Sequence, residues 1–250
     1  MGANQNGIAA VFNNVSKGFV GPDGSFLKAI DGLSLELRSG DWFYVLGQNG
    51  SGKSTLLRLL SGDLIPDEGE CRINQDLQSH TRYVEQGVLN NLVPSMTILE
   101  NMLLTRWDSE QRMPSLRLAK SGEGVQAIRN ALALFGMGLE SRLNVKVGHL
   151  SGGQQQAVVA ARVLASGPKL LLLDEFTSAL DLRVSKQVLG VVRDYAKQNG
   201  VTVVSVTHDL HQVEGQGGRI IVLDGGHVKS YIDLSERPLT AREIAEFVYG

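Results

Sequence analysis

Gly47-Gln48-Asn49-Gly50-Ser51-Gly52-Lys53-Ser54 is the stretch that decides how this chain is read. It fits G-x-x-x-x-G-K-[ST], a loop whose backbone N–H groups surround phosphate oxygens while a lysine ammonium and a hydroxyl on Mg²⁺ neutralise what remains. Such a loop works only between a buried strand and a helix. Trp42-Phe43-Tyr44-Val45-Leu46, just before it, is a short apolar, aromatic and β-branched run, as a buried strand requires. Ser54 to Leu60, just after it, carries leucines at 56, 57, 59 and 60 before Ser61-Gly62 stops the pattern. The order strand, glycine loop, helix aims unpaired N–H groups and the positive end of the helix dipole at the phosphates. Gly47, Asn49, Gly50, Ser51, Gly52, Lys53, Ser54 and Thr55 are therefore candidate nucleotide-binding residues, and Ser54 is also a candidate magnesium ligand.

The surroundings favour a globular enzyme. Of 250 residues, 42% are hydrophobic and 20% charged, enough for one large core or two modest ones. A net charge of −2 leaves no basic stripe for nucleic acid. The single cysteine, Cys71, has no partner for an internal disulfide and reads as a small apolar residue in the strand Glu70-Cys71-Arg72-Ile73, in a reducing compartment. No stretch approaches the length of a membrane span, and Met1 to Asn6 has neither a signal-peptide core nor a myristoylation pattern.

Working outward, Ile8 to Asn14, Leu33 to Leu37, Glu70 to Asn74 and Arg82 to Val84 read as strands, with Gly21-Pro22-Asp23-Gly24 as a turn. After Val84 the character changes. Thr97-Ile98-Leu99-Glu100 forms a capping box, Val125, Ile128, Ala131, Leu132 and Phe135 make a helical stripe, and residues 88–149 are expected to be helical. Within them Trp107 to Gly124, with Pro114 and several arginines, carries no clear pattern. From Gln154 onward helices (to about Ala165, and Ser185 to Gln198) alternate with strands (Leu170 to Leu173, Val201 to Val206, Ile220 to Leu223). That alternation implies crossover units and a parallel sheet with covered faces. Thr240-Ala241-Arg242-Glu243 is a further capping box, opening a docking helix.

Lys169-Leu170-Leu171-Leu172-Leu173-Asp174-Glu175 is an apolar strand ending in two carboxylates. At the C-terminal edge of a parallel strand Asp174 can hold the Mg²⁺ that Ser54 touches. Glu175 points elsewhere, because side chains alternate along an extended chain, and is free to orient or deprotonate a water. His208, ending the Val201 to Val206 strand, would stand near the γ-phosphate and donate to developing charge.

Leu150-Ser151-Gly152-Gly153-Gln154 adds a second helix N-terminus, with Ser151 as cap and Gln154 three residues on, as in a capping box. Here the chain resembles the ATP-binding cassette (ABC) ATPases, whose signature LSGGQ these five residues match. The resemblance covers nearly the whole sequence. It implies an α/β fold with a P-loop NTPase (RecA-like) core, an N-terminal antiparallel β portion and an inserted helical subdomain. On that pattern 1–250 is one ABC ATPase domain, with 1–87 and 150–250 the nucleotide-binding core and 88–149 the helical subdomain. It makes Gln86 the Q-loop glutamine and a magnesium ligand, Asp181 in Ser178-Ala179-Leu180-Asp181 the D-loop aspartate, and His208 the switch histidine. It makes Phe19 the residue that stacks on adenine, with Phe12, Phe26 and a disordered loop as competitors for that role.

The resemblance further implies ATP and Mg²⁺ as cofactors, Glu175, His208 and Gln86 as the catalytic set, and a head-to-tail homodimer in which each signature (Ser151, Gly152, Gly153, Gln154) completes the other copy's site. The load would be a solute carried by separate integral membrane permease subunits with a substrate-binding protein, this chain lying peripherally on the cytoplasmic face of the inner membrane. Gly148 to Asp181 and the tail look most like cassettes of lipoprotein-dependent bacterial importers, some linked to aromatic amino acids. The rival reading is a soluble single-cassette assembly ATPase of the iron–sulfur type, with no permease.

Overall fold

The computed structural model describes residues 7–87, 90–108 and 122–250. Met1 to Asn6 and most of the patternless Trp107 to Gly124 segment lie outside the described residues. The chain opens with β1 (Ile8–Val20), β2 (Phe26–Arg38), β3 (Trp42–Leu46), α1 (Lys53–Ser61), β4 (Glu68–Ile73), α2 (Gln75–Gln78) and β5 (Thr81–Val84). Helices α3 (Ile98–Asp108), α4 (Gly122–Ala133) and α5 (Gly152–Ala165) follow. The rest alternates as β6 (Leu170–Asp174), α6 (Leu182–Asn199), β7 (Thr202–Val206), β8 (Arg219–Asp224), β9 (His227–Asp233) and α7 (Ala241–Tyr249).

These elements pack as two units. The first contains the chain up to Val84, Lys169–Phe176 and Gly200–Gly250. Its six-stranded sheet has the order β5-β6-β7-β3-β8-β9, parallel from β5 to β8 with β9 antiparallel at the edge. Strands β3, β6 and β7 are buried at every position, which is why their sequences run apolar without alternation. A second sheet, β2-β1-β4, is antiparallel. Between them α1 inserts Leu56, Leu57, Leu59 and Leu60 into a core shared with Phe12, Ile30 and Leu33 of one sheet and Val45, Leu172 and Val204 of the other. Each such leucine contributes about 2 kcal/mol relative to an exposed one. The helix is thereby clamped along its length, and its N-terminal turn is held at the C-terminal edge of β3.

Strands β1 and β2 extend further than the expected Ile8 to Asn14 and Leu33 to Leu37. Register shifts between Phe12 and Val15 and around Lys17 break the period-two signal, and the hairpin's far end exposes Val20, Phe26 and Leu27. The expected turn is present, with Gly24 N–H donating to the Gly21 carbonyl at 3.0 Å. Strand β9 has no counterpart in the sequence reading. It pairs with β8 through a hairpin whose turn residues, Gly225 and Gly226, have φ of 54° and 84°.

The second unit is Glu85–Pro168 with Thr177–Asn199. In it α5 packs on α3, α4 and α6. The stripe on α4 is its inner face, with Leu132 and, just beyond, Phe135 fully buried. Buried Asn101 of α3 accepts from the Val93 N–H at 2.8 Å and donates to the Val93 and Thr97 carbonyls at 3.1 and 3.0 Å, fixing the loop that leads into the helix. Residues 88–149 are less continuously helical than expected. After α4 the chain makes only single 3₁₀ turns, at Leu139–Ser141 and Val147–His149, because Gly136 and Gly138 take φ of 61° and 69°. The unit is also wider than an 88–149 insertion, since α5 and α6 pack with the helices before them.

Candidate active site

The loop between β3 and α1 is shaped by two glycines. Gly47 has φ 146°, and a Cβ there would stand 2.2 Å from the Leu223 carbonyl oxygen. At Gly52, φ 99°, a Cβ would stand 2.4 Å from the Ala29 carbonyl oxygen. Both clashes are with backbone and cannot be relieved by a side-chain movement. Gly52 is also the N-cap of α1 and offers no side-chain acceptor to the first turn. Lys53 is buried, its ammonium donating to the Gly47 and Gln48 carbonyls at 2.9 and 2.7 Å. The Ser51 hydroxyl is buried without a hydrogen-bond partner. A buried orphan of this kind costs about 1–3 kcal/mol, which an anion's oxygen would recover. Gln48, Asn49, Gly50 and Ser54 are exposed around it, and Thr55 is half-buried.

Asp174 ends β6 opposite Val206 of β7 and is 6% exposed. Its Oδ2 accepts from the Tyr83 hydroxyl at 3.0 Å. Burial first, then the Asp174 charge, pushes the Tyr83 phenol above its ordinary range, so it stands protonated as the donor. Glu175 has φ 46°, a left-handed conformation that costs a non-glycine residue about 1 kcal/mol or more. Its N–H donates to the Val206 carbonyl at 3.1 Å, and its Oε1 meets His208 Nε2 at 2.7 Å. Burial lowers the Lys53 pKa from the ordinary lysine value, opposed by the negative charges of Glu175 and Asp174. The structure thus brings Lys53, Asp174, Glu175 and His208 together at the C-terminal ends of β3, β6 and β7, where parallel sheets bind ligands.

Phe19 lies near the end of β1, 38% exposed, with the Lys17 ammonium 5.9 Å from its ring centroid. Asp67 pins this stretch by accepting from Lys17 Nζ at 2.6 Å and from Gly18 N–H at 2.8 Å. Of its competitors, Phe12 is fully buried in the core, and the exposed Phe26 lays its ring over Gly18.

The signature residues occupy the second unit. Ser151 caps α5 reciprocally with Gln154, the Gln154 N–H donating to Ser151 Oγ at 3.4 Å and the Ser151 N–H to Gln154 Oε1 at 3.3 Å. A Cβ on Gly153 would come within 2.5 Å of Val184 Cγ1, so a glycine is what lets α6 approach. Asp181 accepts from the Val184 N–H at 3.0 Å, capping α6. A surface cavity of about 320 Å³ is lined by Ser151, Gly153, Gln154, Asp181 and Arg183, among others. Gln86 is exposed, its carbonyl accepting from Asn90 Nδ2 at 2.8 Å, and is not among that lining.

No group of three or more His, Cys, Asp or Glu among the described residues could hold a metal alone. Mg²⁺ needs no such cage: a hydroxyl, one carboxylate, phosphate oxygens and water suffice, and Ser54 and Asp174 are donors of that kind. Tyr83 and Asp67 were not singled out from sequence, since each acts through a partner about 50 or more positions away with no local pattern. Cys71 is half-buried, its thiol pushed up to about 11 by burial, and so is an inert packing residue.

The family described as ABC transporter matches residues 30–178. The methionine import ATP-binding protein MetN of Mesorhizobium japonicum is 35% identical over 210 residues, 80% of this chain and 55% of that protein. A MetN 2 protein of Enterococcus faecalis is 33% identical over 93% of this chain and 68% of its own length. The chain therefore spans roughly half to two thirds of the length of these curated relatives. A dimeric ATP-binding cassette in a post-hydrolysis state, bound to ADP and Pi, superposes with a TM-score of 0.76 at 29% identity, covering 92% of this chain and 100% of its own. The fold is that of the P-loop NTPase cassettes, and the chain belongs to the ABC transporter family as an ATP-binding cassette.

Proposed function

We propose that this chain is the ATP-hydrolysing subunit that energises solute transport through separate permease subunits, working as a head-to-tail homodimer with two sandwiched ATP sites. The observation that carries the reading is the buried, unpartnered Ser51 hydroxyl beside Lys53, at the sheet edge that also holds Asp174 and the Glu175–His208 pair. The first-turn N–H groups of α1, the Ser51 hydroxyl and the Lys53 ammonium bind phosphate oxygens. Ser54, Asp174 and Gln86 would hold Mg²⁺, which when bound supplies charge neutralisation on the phosphates. Glu175 orients or deprotonates the attacking water. His208, whose Nε2 stands 2.7 Å from Glu175 Oε1, donates a hydrogen bond to charge developing on the γ-phosphate. Phe19 stacks on the adenine. The signature helix of a second copy, with its cavity at Ser151, Gly153 and Asp181, closes over the γ-phosphate, and with the same two patches on each copy the assembly closes at two.

Closure on two ATP molecules and reopening after hydrolysis would shift a permease between states. The names of the relatives, methionine import and, at 29% identity over 93% of this chain and 96% of its own, a tyrosine transport ATP-binding protein of Clostridioides difficile, support an amino acid as cargo and import as direction. The iron–sulfur assembly reading finds no support among them. A substrate-binding protein as the delivery step belongs to the same proposal. No described helix is long and apolar enough to cross a membrane. Peripheral attachment to the cytoplasmic face of the inner membrane, through the permease, is part of the same proposal.

The test joins chemistry to load. Glu175→Gln should retain ATP binding, lower turnover about 1000-fold and accumulate an ATP-bound dimer on size exclusion. Copurification of that trapped form from native membranes should recover a polytopic protein. Sustained hydrolysis would remove Glu175 from its role, and a purely soluble complex would remove the permease.

A further inference from the structure

We propose that Tyr83 is a positioning residue for Asp174, its hydroxyl holding one carboxylate oxygen so that the other is presented to the metal; this rests on the reading of Asp174 as a magnesium ligand. In the β5–β6 ladder Tyr83 pairs with Leu172, so the two side chains share a face. Asp174 lies two residues further along β6 on that same face, because side chains alternate with period two. The rise across two residues is about 6.6 Å, a span that a phenol reaches and an aliphatic side chain does not. The outcome is the 3.0 Å contact from the Tyr83 hydroxyl to Asp174 Oδ2, across 91 positions of sequence.

A further observation makes this a directed contact rather than a chance one. Asp174 is 6% exposed, and a buried carboxylate needs hydrogen-bond donors to hold it in one orientation. The result is a phenol–carboxylate pair that sets which carboxylate oxygen stays available. Groups that orient a metal ligand in this way typically change metal affinity about 10- to 100-fold when removed.

The experiment uses the full chain, an ATP analogue and Mn²⁺ as the probe, with Mn²⁺ affinity read by electron paramagnetic resonance. Tyr83→Phe keeps the ring and loses the donor. It should weaken Mn²⁺ binding to the nucleotide complex about 10-fold while metal-free nucleotide binding in EDTA stays within about 2-fold. A role confined to packing would move thermal stability and leave Mn²⁺ affinity alone. Asp174→Asn separates the two layers. If it loses Mn²⁺ while Tyr83→Phe binds like the wild type, the Tyr83 inference fails and the Asp174 reading stands. If Asp174→Asn itself binds Mn²⁺ normally, both fall. Should Tyr83→Phe fail to fold, Tyr83→Leu, which also lacks the donor, carries the test. An approximately 10-fold loss of Mn²⁺ affinity supports the contact, and an unchanged affinity overturns it.

Discussion

Helices α1 and α5 both begin in glycine-rich loops, yet they solve the problem of their unpaired first-turn N–H groups in opposite ways. At α5 the chain completes itself, Ser151 and Gln154 closing a reciprocal capping box. At α1 the N-cap is Gly52, which has nothing to offer, and the neighbouring Ser51 hydroxyl is buried with no partner. A helix end left in that condition would be stabilised by an anion, which is what the proposed phosphate site at α1 requires, whereas α5 is already complete by itself. The side chain at the third helical position of the boxes supports the contrast. The Thr97 and Thr240 boxes use Glu100 and Glu243, whereas the signature box uses neutral Gln154, which caps without setting a negative charge beside an approaching phosphate.

The contrast predicts its own hierarchy of failures. Lys53→Ala should weaken ATP binding about 100-fold or more, measured by titration calorimetry, because a buried ammonium beside phosphate makes charge-assisted contacts that nothing else replaces. Normal affinity would break the assignment of α1. Next come the glycines. Gly47→Ala forces a Cβ against a backbone carbonyl at a left-handed φ and should cost about 3 kcal/mol in denaturant unfolding. Gly153→Ala meets only the Val184 side chain and should cost about 1–2 kcal/mol. Equal losses would mean that the first loop is no more constrained than the second.

A pair of serines sharpens the point at smaller scale. Ser151→Ala removes a cap and should destabilise by about 1 kcal/mol. Ser51→Ala removes a hydroxyl that costs energy when unpartnered, so stability should hold or rise by about 1 kcal/mol while ATP affinity falls. The smallest effect belongs to the box at α7. Glu243 Oε2 accepts from the Thr240 N–H and hydroxyl at 2.8 and 2.9 Å, and Oε1 from Arg237 at 2.8 Å. The Thr240 backbone bond first, then these others, hold its carboxyl at about 2, below the ordinary 4.5. A depressed carboxylate stabilises above its unfolded pKa and loses that contribution as pH falls through the folded one, so α7 should loosen between about pH 4.5 and 2. Glu243→Gln should abolish that dependence in amide exchange across Ala241 to Tyr249.

Much of the candidate site was legible because it is local. The phosphate loop, the carboxylates after Leu173 and all three capping boxes are set within a handful of residues, where dihedral preference and hydrogen-bond reach decide the outcome. The less legible parts are non-local. Strand β9 and the outer half of the β1–β2 hairpin are edge features with one or both faces in water, so no apolar period marks them. Asn101 reads as an unremarked polar residue in a helix, although it is fully buried and organises the loop before α3.

By itself, then, the sequence determined the kinds of local structure and the residues able to carry phosphate chemistry, since both depend on spacing along the chain. Tertiary structure alone decided that Glu175 meets His208, that Lys53 feels two carboxylates, and that Tyr83 of β5 reaches Asp174 of β6. Those contacts follow from strand order and register in the sheet. Order and register are fixed by how the whole core packs, a sum over distant side chains that no short window of sequence contains.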